Sequence, residues 1–173
     1  MNIEERVSEL EKIINKGEIE AKNIRIVDER GNVRISLSAG DEAVGIMIYD
    51  KNGINRISLM VLDPEGPMFV ISDDKRNNLF SVVTSEDGGS IVSVNDKKGQ
   101  VRINISMVNE TPSITLLNES GEPRLTLLAG DNKTAVRLSD EDHINSLNFT
   151  VEKRGAIIHA EDGDDEIIWS YPG

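Results

Sequence analysis

The sequence has no cysteine, six aromatic residues in 173, fewer basic than acidic side chains and no long apolar run. Each absence removes a class of explanation. Without cysteine there are no disulfides, thiolate metal sites or thiol nucleophiles, although the compartment stays open. No stretch approaches the roughly 18 apolar residues of a membrane span. The N-terminal MNIEERVSELEKIINKG also lacks the basic start and apolar core of a secretory signal, so neither export nor localisation is specified. With 31 acidic against 19 basic residues the formal charge is -12, which repels a phosphate backbone unless basic residues gather on one face. Nucleic acid is therefore not an expected partner.

What the chain does have is repetition. DERGNVRISL (28–37) returns as DKNGINRISL (50–59), DKKGQVRINI (96–105) and NESGEPRLTL (118–127). Taking the first residue of this phrase as position zero, markers fall at Asp28, Asp50, Asp73, Asp96, Asn118, Asp140 and Asp162, 22 or 23 residues apart, giving seven units. Positions -4, -2, +7 and +9 are Ile24, Ile26, Ile35 and Leu37 in the first unit and Ile158, Ala160, Trp169 and Tyr171 in the last; all 28 such positions are apolar or aromatic. The intervening parity holds seven: Val27, Met47, Tyr49, Val70, Leu79, Leu117 and Ile168. This period of two predicts two strands per unit, with one buried and one solvated face.

The marker supplies the connection. Asp-x-x-Gly suits a type I turn followed by a left-handed residue, which Gly31, Gly53, Gly99 and Gly121 accommodate. His143 and Asp165 are tolerable substitutes, whereas Arg76 predicts an irregular third corner unless Asn77 takes over. Pairing across the first turn is expected to set Ile26 against Val33 and Ile24 against Ile35. The next hairpin sets Leu37 against Ile46 across Gly40, Asp41 and Glu42.

The expected fold is thus an all-β repeat: seven 22-residue hairpin units in an antiparallel meander, residues 18–173, behind an N-terminal helix, residues 1–17. Asn2 with Glu5 reads as a capping pair and Gly17 as a C-cap. Ile3, Val7, Leu10 and Ile14 form a seam for a short coiled coil. Two heptads are marginal alone, so the alternative is a helix docked on the sheet. Fourteen strands at about 4.8 Å each make a ribbon on the order of 65 Å long with one apolar face. A 14-stranded barrel would leave an interior these side chains could not fill. Three ribbons around an axis would form a trimeric β-prism; a rival fold winds each unit as a rung of a parallel solenoid.

The units D-x-x-G-x-x-R-[IL]-x-[LI] behind a short coiled coil resemble hairpin repeats of bacterial and phage proteins and the shafts of trimeric tail fibres. The resemblance covers residues 18–173 and weakens in units three, six and seven, which lack the glycine and arginine. It implies a corner and no chemistry.

Candidate sites are few. Arg34, Arg56, Arg102 and Arg124 at +6 suit either a ladder for an anionic glycan or pairing with nearby acids. At +8, Ser36, Ser58, Ser81, Asn104, Thr126, Asn148 and Ser170 suit a sugar- or ice-binding column or an ordinary outward pleat. His143 and His159 belong to no evident zinc set, and EDGDDE (161–166) lacks EF-hand spacing. No metal, cofactor or catalytic residue is expected. Trp169 and Tyr171 read as a glycan or receptor contact, or as a plug over the last rung. The expected function is a non-enzymatic homotrimeric shaft or spacer of a phage tail fibre or bacterial surface assembly. The alternatives are a glycan-binding fibre module and a fibre-borne polysaccharide-degrading enzyme.

Overall fold

The computed structural model describes residues 2–15, 20–84, 88–108, 110–141, 145–164 and 166–172, without the side chains of residues 9, 10, 13–15 and 108. Helix α1 spans Ile3–Asn15. Asn2 N–H donates to Glu5 Oε2 and Glu5 N–H to Asn2 Oδ1, both at 2.8 Å, so the expected capping pair forms. Among the described residues α1 makes no contact with a strand. Ile3 and Val7 are exposed, at 77% and 47%. The side chains of Leu10 and Ile14, and Gly17, lie outside the described residues.

Fourteen strands follow: β1 (Asn23–Val27), β2 (Val33–Ala39), β3 (Ala43–Tyr49), β4 (Asn55–Leu62), β5 (Gly66–Ser72), β6 (Asn78–Thr84), β7 (Ser90–Asn95), β8 (Val101–Val108), β9 (Thr111–Leu117), β10 (Pro123–Ala129), β11 (Lys133–Ser139), β12 (Ser146–Glu152), β13 (Gly155–Glu161) and β14 (Ile167–Tyr171). They form one sheet in sequence order. Adjacent strands are antiparallel, as in β1 with β2 and β13 with β14, which removes the parallel solenoid. The sheet is open: β1 and β14 are its two edges, so it is not a barrel.

The two apolar rows run unbroken across the sheet. Ile26, Ile35, Ile48, Ile57 and Ile71 oppose one another in turn, and so do Ile24, Leu37, Ile46, Leu59 and Phe69. The same two apolar rows continue to Trp169, opposite Ala160, and Tyr171, opposite Ile158. Leu37 meets Ile46 as expected. The first hairpin does not pair as expected: Ile26 faces Ile35 rather than Val33, and Ile24 faces Leu37 rather than Ile35. Two offsets of one residue combine: the turn closes Asp28 on Asn32, and a bulge between the Val27–Val33 and Ile26–Ile35 pairs skips Arg34, so the partner moves by two and both side chains stay on one face.

The corners follow one plan. Asp28 N–H donates to Asn32 O and Gly31 N–H to Asp28 O, both at 2.9 Å, and Asp28 Oδ1 accepts the N–H groups of Arg30 and Asn32 at 3.0 Å. Gly31 has φ 82°, a region that glycine enters without a Cβ penalty. The third corner is regular, contrary to expectation, because Arg76 itself takes the left-handed conformation at φ 69°. Asp73 Oδ1 still accepts from Lys75 and Asn77 at 2.8 Å, and this frame holds Arg76 against its intrinsic preference. The sixth corner is longer, with Asp140 N–H donating to Asn145 O at 3.0 Å. There Leu138 pairs with Leu147 and Ser139 with Ser146 in step, so the turn absorbs the residue bulged elsewhere. His143 and Asp165 lie outside the described residues.

The single chain has almost no apolar core. Among the described residues the one buried hydrophobic side chain is Val70, at 8% exposure. Leu59 is 53% exposed and Ile105 44%, both on the apolar face, whereas Ser58 and Ser93, on the face expected to be solvated, are 7% and 8% exposed. The polar face is thus more sheltered than expected, and the apolar face is open in the single chain. Short polar side chains lie in the lee of long neighbours, and Asn55 Nδ2 donates to Ser58 Oγ at 2.7 Å. On the same face Gly45 leaves room for Met60: a Cβ there would lie 2.6 Å from Met60 Cγ and 2.8 Å from Leu59 O.

Candidate functional site

Chemistry-bearing side chains concentrate on the polar face, in two arrangements. The first is an arginine clasp between consecutive corners. Arg34 Nε donates to Tyr49 O at 3.1 Å, Arg56 Nε to Ser72 O at 2.7 Å and Arg124 Nε to Ser139 O at 2.7 Å. Each acceptor is the residue just before the next unit's marker. Arg34 and Arg56 also reach back, their Nη1 atoms lying 3.8 and 3.6 Å from the Oδ2 atoms of Asp28 and Asp50. Of the two readings of the arginine column, pairing with nearby acids holds for Arg34 and Arg56, and the Nε–H groups of Arg34, Arg56 and Arg124 are already committed to carbonyls.

These contacts act on the corner carboxyls. Asp28 and Asp50 are held below the ordinary Asp value, chiefly by the backbone N–H groups of Asn32 and Ile54, with Arg34 and Arg56 adding to the effect. At Asp73 and Asp96 partial desolvation pushes the other way, and hydrogen bonds from Asn77 and from the backbones of Lys98 and Gln100 outweigh it. The corner acids therefore stay ionised as structural acceptors. In the acidic run 161–166, Asp162 Oδ1 accepts the N–H groups of Asp164 and Glu166 at 3.1 Å, again a corner.

The second arrangement replaces the clasp where the arginine is missing. In unit six Ser146 occupies the +6 position and pairs with Glu161, the residue before the next marker. Glu161 Oε2 accepts from Ser146 Oγ at 3.1 Å and Asn148 Nδ2 at 3.0 Å, and lies 3.8 Å from Arg137 Nη2; Oε1 is 2.9 Å from His159 Nε2. Ser146 and Asn148 are buried. Desolvation works against the Glu161 charge, but the His159, Ser146 and Asn148 contacts outweigh it and hold the carboxyl below the usual Glu range. A general acid for glycoside cleavage needs the opposite shift. What this arrangement does is fix the β12–β13 register. Sequence reasoning treated His159 as isolated and missed Ser146 and Glu161; the signal was that +6 faces the next unit's -1.

The remaining candidates fall elsewhere. The +8 column lies on the polar face with none of its residues exposed. Trp169 and Tyr171 lie on the apolar face of edge strand β14, 52% and 67% exposed, away from the Glu161 cluster. Among the described residues no group of three or more His, Cys, Asp or Glu is placed to hold a metal ion. No described helix is long and apolar enough to cross a membrane. A scan against protein-family models finds no match, and neither does a search of curated proteins.

Proposed function

We propose that the chain is a non-enzymatic structural shaft or spacer that works as a homotrimer, with three ribbons packed by their apolar faces into a triangular β-prism, in a phage tail fibre or bacterial surface assembly. One observation carries this reading. The chain exposes 12833 Å². A compact folded monomer of 19.1 kDa exposes about 8,400 Å². The excess, about 4,400 Å², is the size of an obligate subunit interface. Covering each half-exposed Ile or Leu is worth about 1 kcal/mol, and every strand contributes two apolar or aromatic positions to this face. The exposed Ile3 and Val7 support a helical seam at one end; Ile3 at d leans towards three strands whereas Val7 and Ile14 at a with Leu10 at d lean towards two, so the seam does not set the number of copies. Negative-stain electron microscopy tests the shaft. Rods about 65 Å long are expected; isolated compact particles contradict it.

The exposed Trp169 and Tyr171 pair favours a second reading, a glycan- or receptor-binding tip. A glycan array comparing the parent protein with Trp169→Ala decides: loss of a signal supports it, and identical blanks remove it. Release of reducing ends from polysaccharides would instead favour a fibre-borne enzyme.

A further inference from the structure

We infer that a dish in the polar face, between the second and third corners, is a binding site for a carboxylated sugar that carries an acylated amino group. The dish holds about 420 Å³, within the roughly 300–1,000 Å³ of small-molecule sites. Its floor is Ser58 and Val70, buried cross-strand partners on β4 and β5. Met60 and Met68, paired one step further along the same strands, wall one end. Tyr49, Arg76 and Asn78 bound the other. Two further dents, beside Leu37 and Ile46 and beside Leu127 and Val136, open on the apolar face, which the assembly proposed above covers. The dish opens on the opposite face and stays in solvent.

The repeat departs from its own pattern at this place. The other described +3 positions are Gly31, Gly53, Gly99 and Gly121, and here the residue is Arg76. At φ 69° its backbone is costly for any side chain with a Cβ, and such outliers gather where a ligand is held. Asp73 does not pair with it: Asp73 Oδ1 accepts the Lys75 and Asn77 N–H groups and Oδ2 accepts Asn77 Nδ2 at 3.0 Å. Among the described residues the Arg76 guanidinium has no hydrogen bond or ion pair. Tyr49 is the one aromatic residue of polar parity, since Phe69, Phe80, Phe149, Trp169 and Tyr171 all stand in the apolar rows. Its hydroxyl is engaged with Met47 Sδ at 3.4 Å, so its ring is what it offers the dish. Position +5 is Asn55 and Asn78 in these two units, where units one, four and five have Val33, Val101 and Pro123. Asn78 Oδ1 accepts from Ser72 Oγ at 3.1 Å, and Asn78 Nδ2 has no protein acceptor among the described residues.

These groups specify the parts of the occupant. In a chain of charge -12, an unpaired guanidinium at the rim of a cavity selects a carboxylate, which it can grip through two parallel N–H groups. The Tyr49 ring gives the C–H groups of a pyranose an apolar face, and Asn78 Nδ2 donates to its hydroxyls. At the far end the adaptable thioethers of Met60 and Met68 suit a methyl group, which an N-acetyl substituent supplies. A dish open on one side covers one face of a monosaccharide, so a single site is weak, with Kd on the order of 1 mM. Several copies in one assembly gain on a polysaccharide by avidity.

The inference stands apart from the shaft reading and from the Trp169 tip. Its test is a ligand-observed NMR titration of the full chain with N-acetylneuraminate, glucuronate and N-acetylglucosamine. N-acetylneuraminate is expected to bind with Kd on the order of 1 mM, and glucuronate, which lacks the acyl group, several-fold more weakly. N-acetylglucosamine, which lacks the carboxylate, is expected to bind about tenfold or more weakly still than N-acetylneuraminate. Arg76→Gly is expected to weaken N-acetylneuraminate binding about tenfold or more while raising the melting temperature, so that the loss is not a loss of fold. Trp169→Ala is expected to bind like the parent. The inference is overturned if N-acetylneuraminate does not bind the parent, if glucuronate or N-acetylglucosamine binds as tightly, or if Arg76→Gly binds as the parent does. Loss of binding in Trp169→Ala but not in Arg76→Gly would also overturn it and assign glycan recognition to the tip.

Discussion

The two faces of this sheet are built from the same fourteen strands and behave in opposite ways. The apolar face is made of large side chains that are half open to solvent, with Leu59 at 53% and Ile105 at 44% exposure. The polar face is made of small side chains that are sheltered, with Ser58 at 7% and Asn148 at 9%. The difference teaches where each kind of order comes from. The polar face is completed within one chain by local hydrogen bonds, clasps and the Met60 side chain lying over Gly45. The apolar face has no partner in its own chain, and the hydrophobic effect that would stabilise it acts only on association.

The comparison breaks most severely on the apolar face. Ile105→Asp places a carboxylate inside the shared interface and is expected to destabilise the assembly by several kcal/mol. Thr126→Asp on the polar face should cost about 1 kcal/mol or less. Size-exclusion profiles and thermal melts of the two variants check this, and equal effects would refute the assignment of faces. Next in size is Gly45→Ala. Its Cβ would meet Met60 Cγ, which can move, and Leu59 O, which cannot without shifting the strand, so a loss of about 1–3 kcal/mol is expected in chemical denaturation. At the third corner, Arg76→Gly is expected to stabilise by about 1 kcal/mol because it releases a left-handed non-glycine residue, and Gly53→Ala to destabilise by a similar amount.

The clasp is worth less. Arg56→Lys loses the Nε–H bond to Ser72 O and is expected to cost about 1 kcal/mol by urea denaturation. The smallest effect is pH dependence at the corners. The Asp28 and Asp50 carboxyls lie below 3.8 in the folded chain. Their stabilisation is therefore complete above that value and is lost as pH falls below it through the depressed folded values. Asn118 accepts from Ser120 and Glu122 in the same geometry with no titrating group, so Asp50→Asn is expected to keep the corner and flatten the acid limb of the melting curve.

Much of this architecture is legible in the sequence because it rests on a period of two inside a period of 22 or 23, and both survive substitution of individual residues. The seven corners, the two apolar rows and the Leu37–Ile46 pairing follow from that alone. The Ile26–Ile35 pairing does not, because the wider turn and a one-residue bulge together move the partner by two residues without changing the face, and alternation is blind to a two-residue slip. Arg76 defeats a propensity argument since the hydrogen bonds to Asp73 outweigh its own preference. Which face is sheltered depends on the size of neighbours across three strands, and the sequence shows each strand separately. The Glu161 cluster could have been found by asking what stands at -1 opposite a missing +6 arginine, once the register was in hand.

The central claim is that the apolar face is sealed by other copies of the chain, and multi-angle light scattering on the purified protein tests it most directly. Run on the full chain, the account predicts a single species of three times the 19.1 kDa chain mass. A stable, cooperatively folded species at the mass of one chain would contradict it.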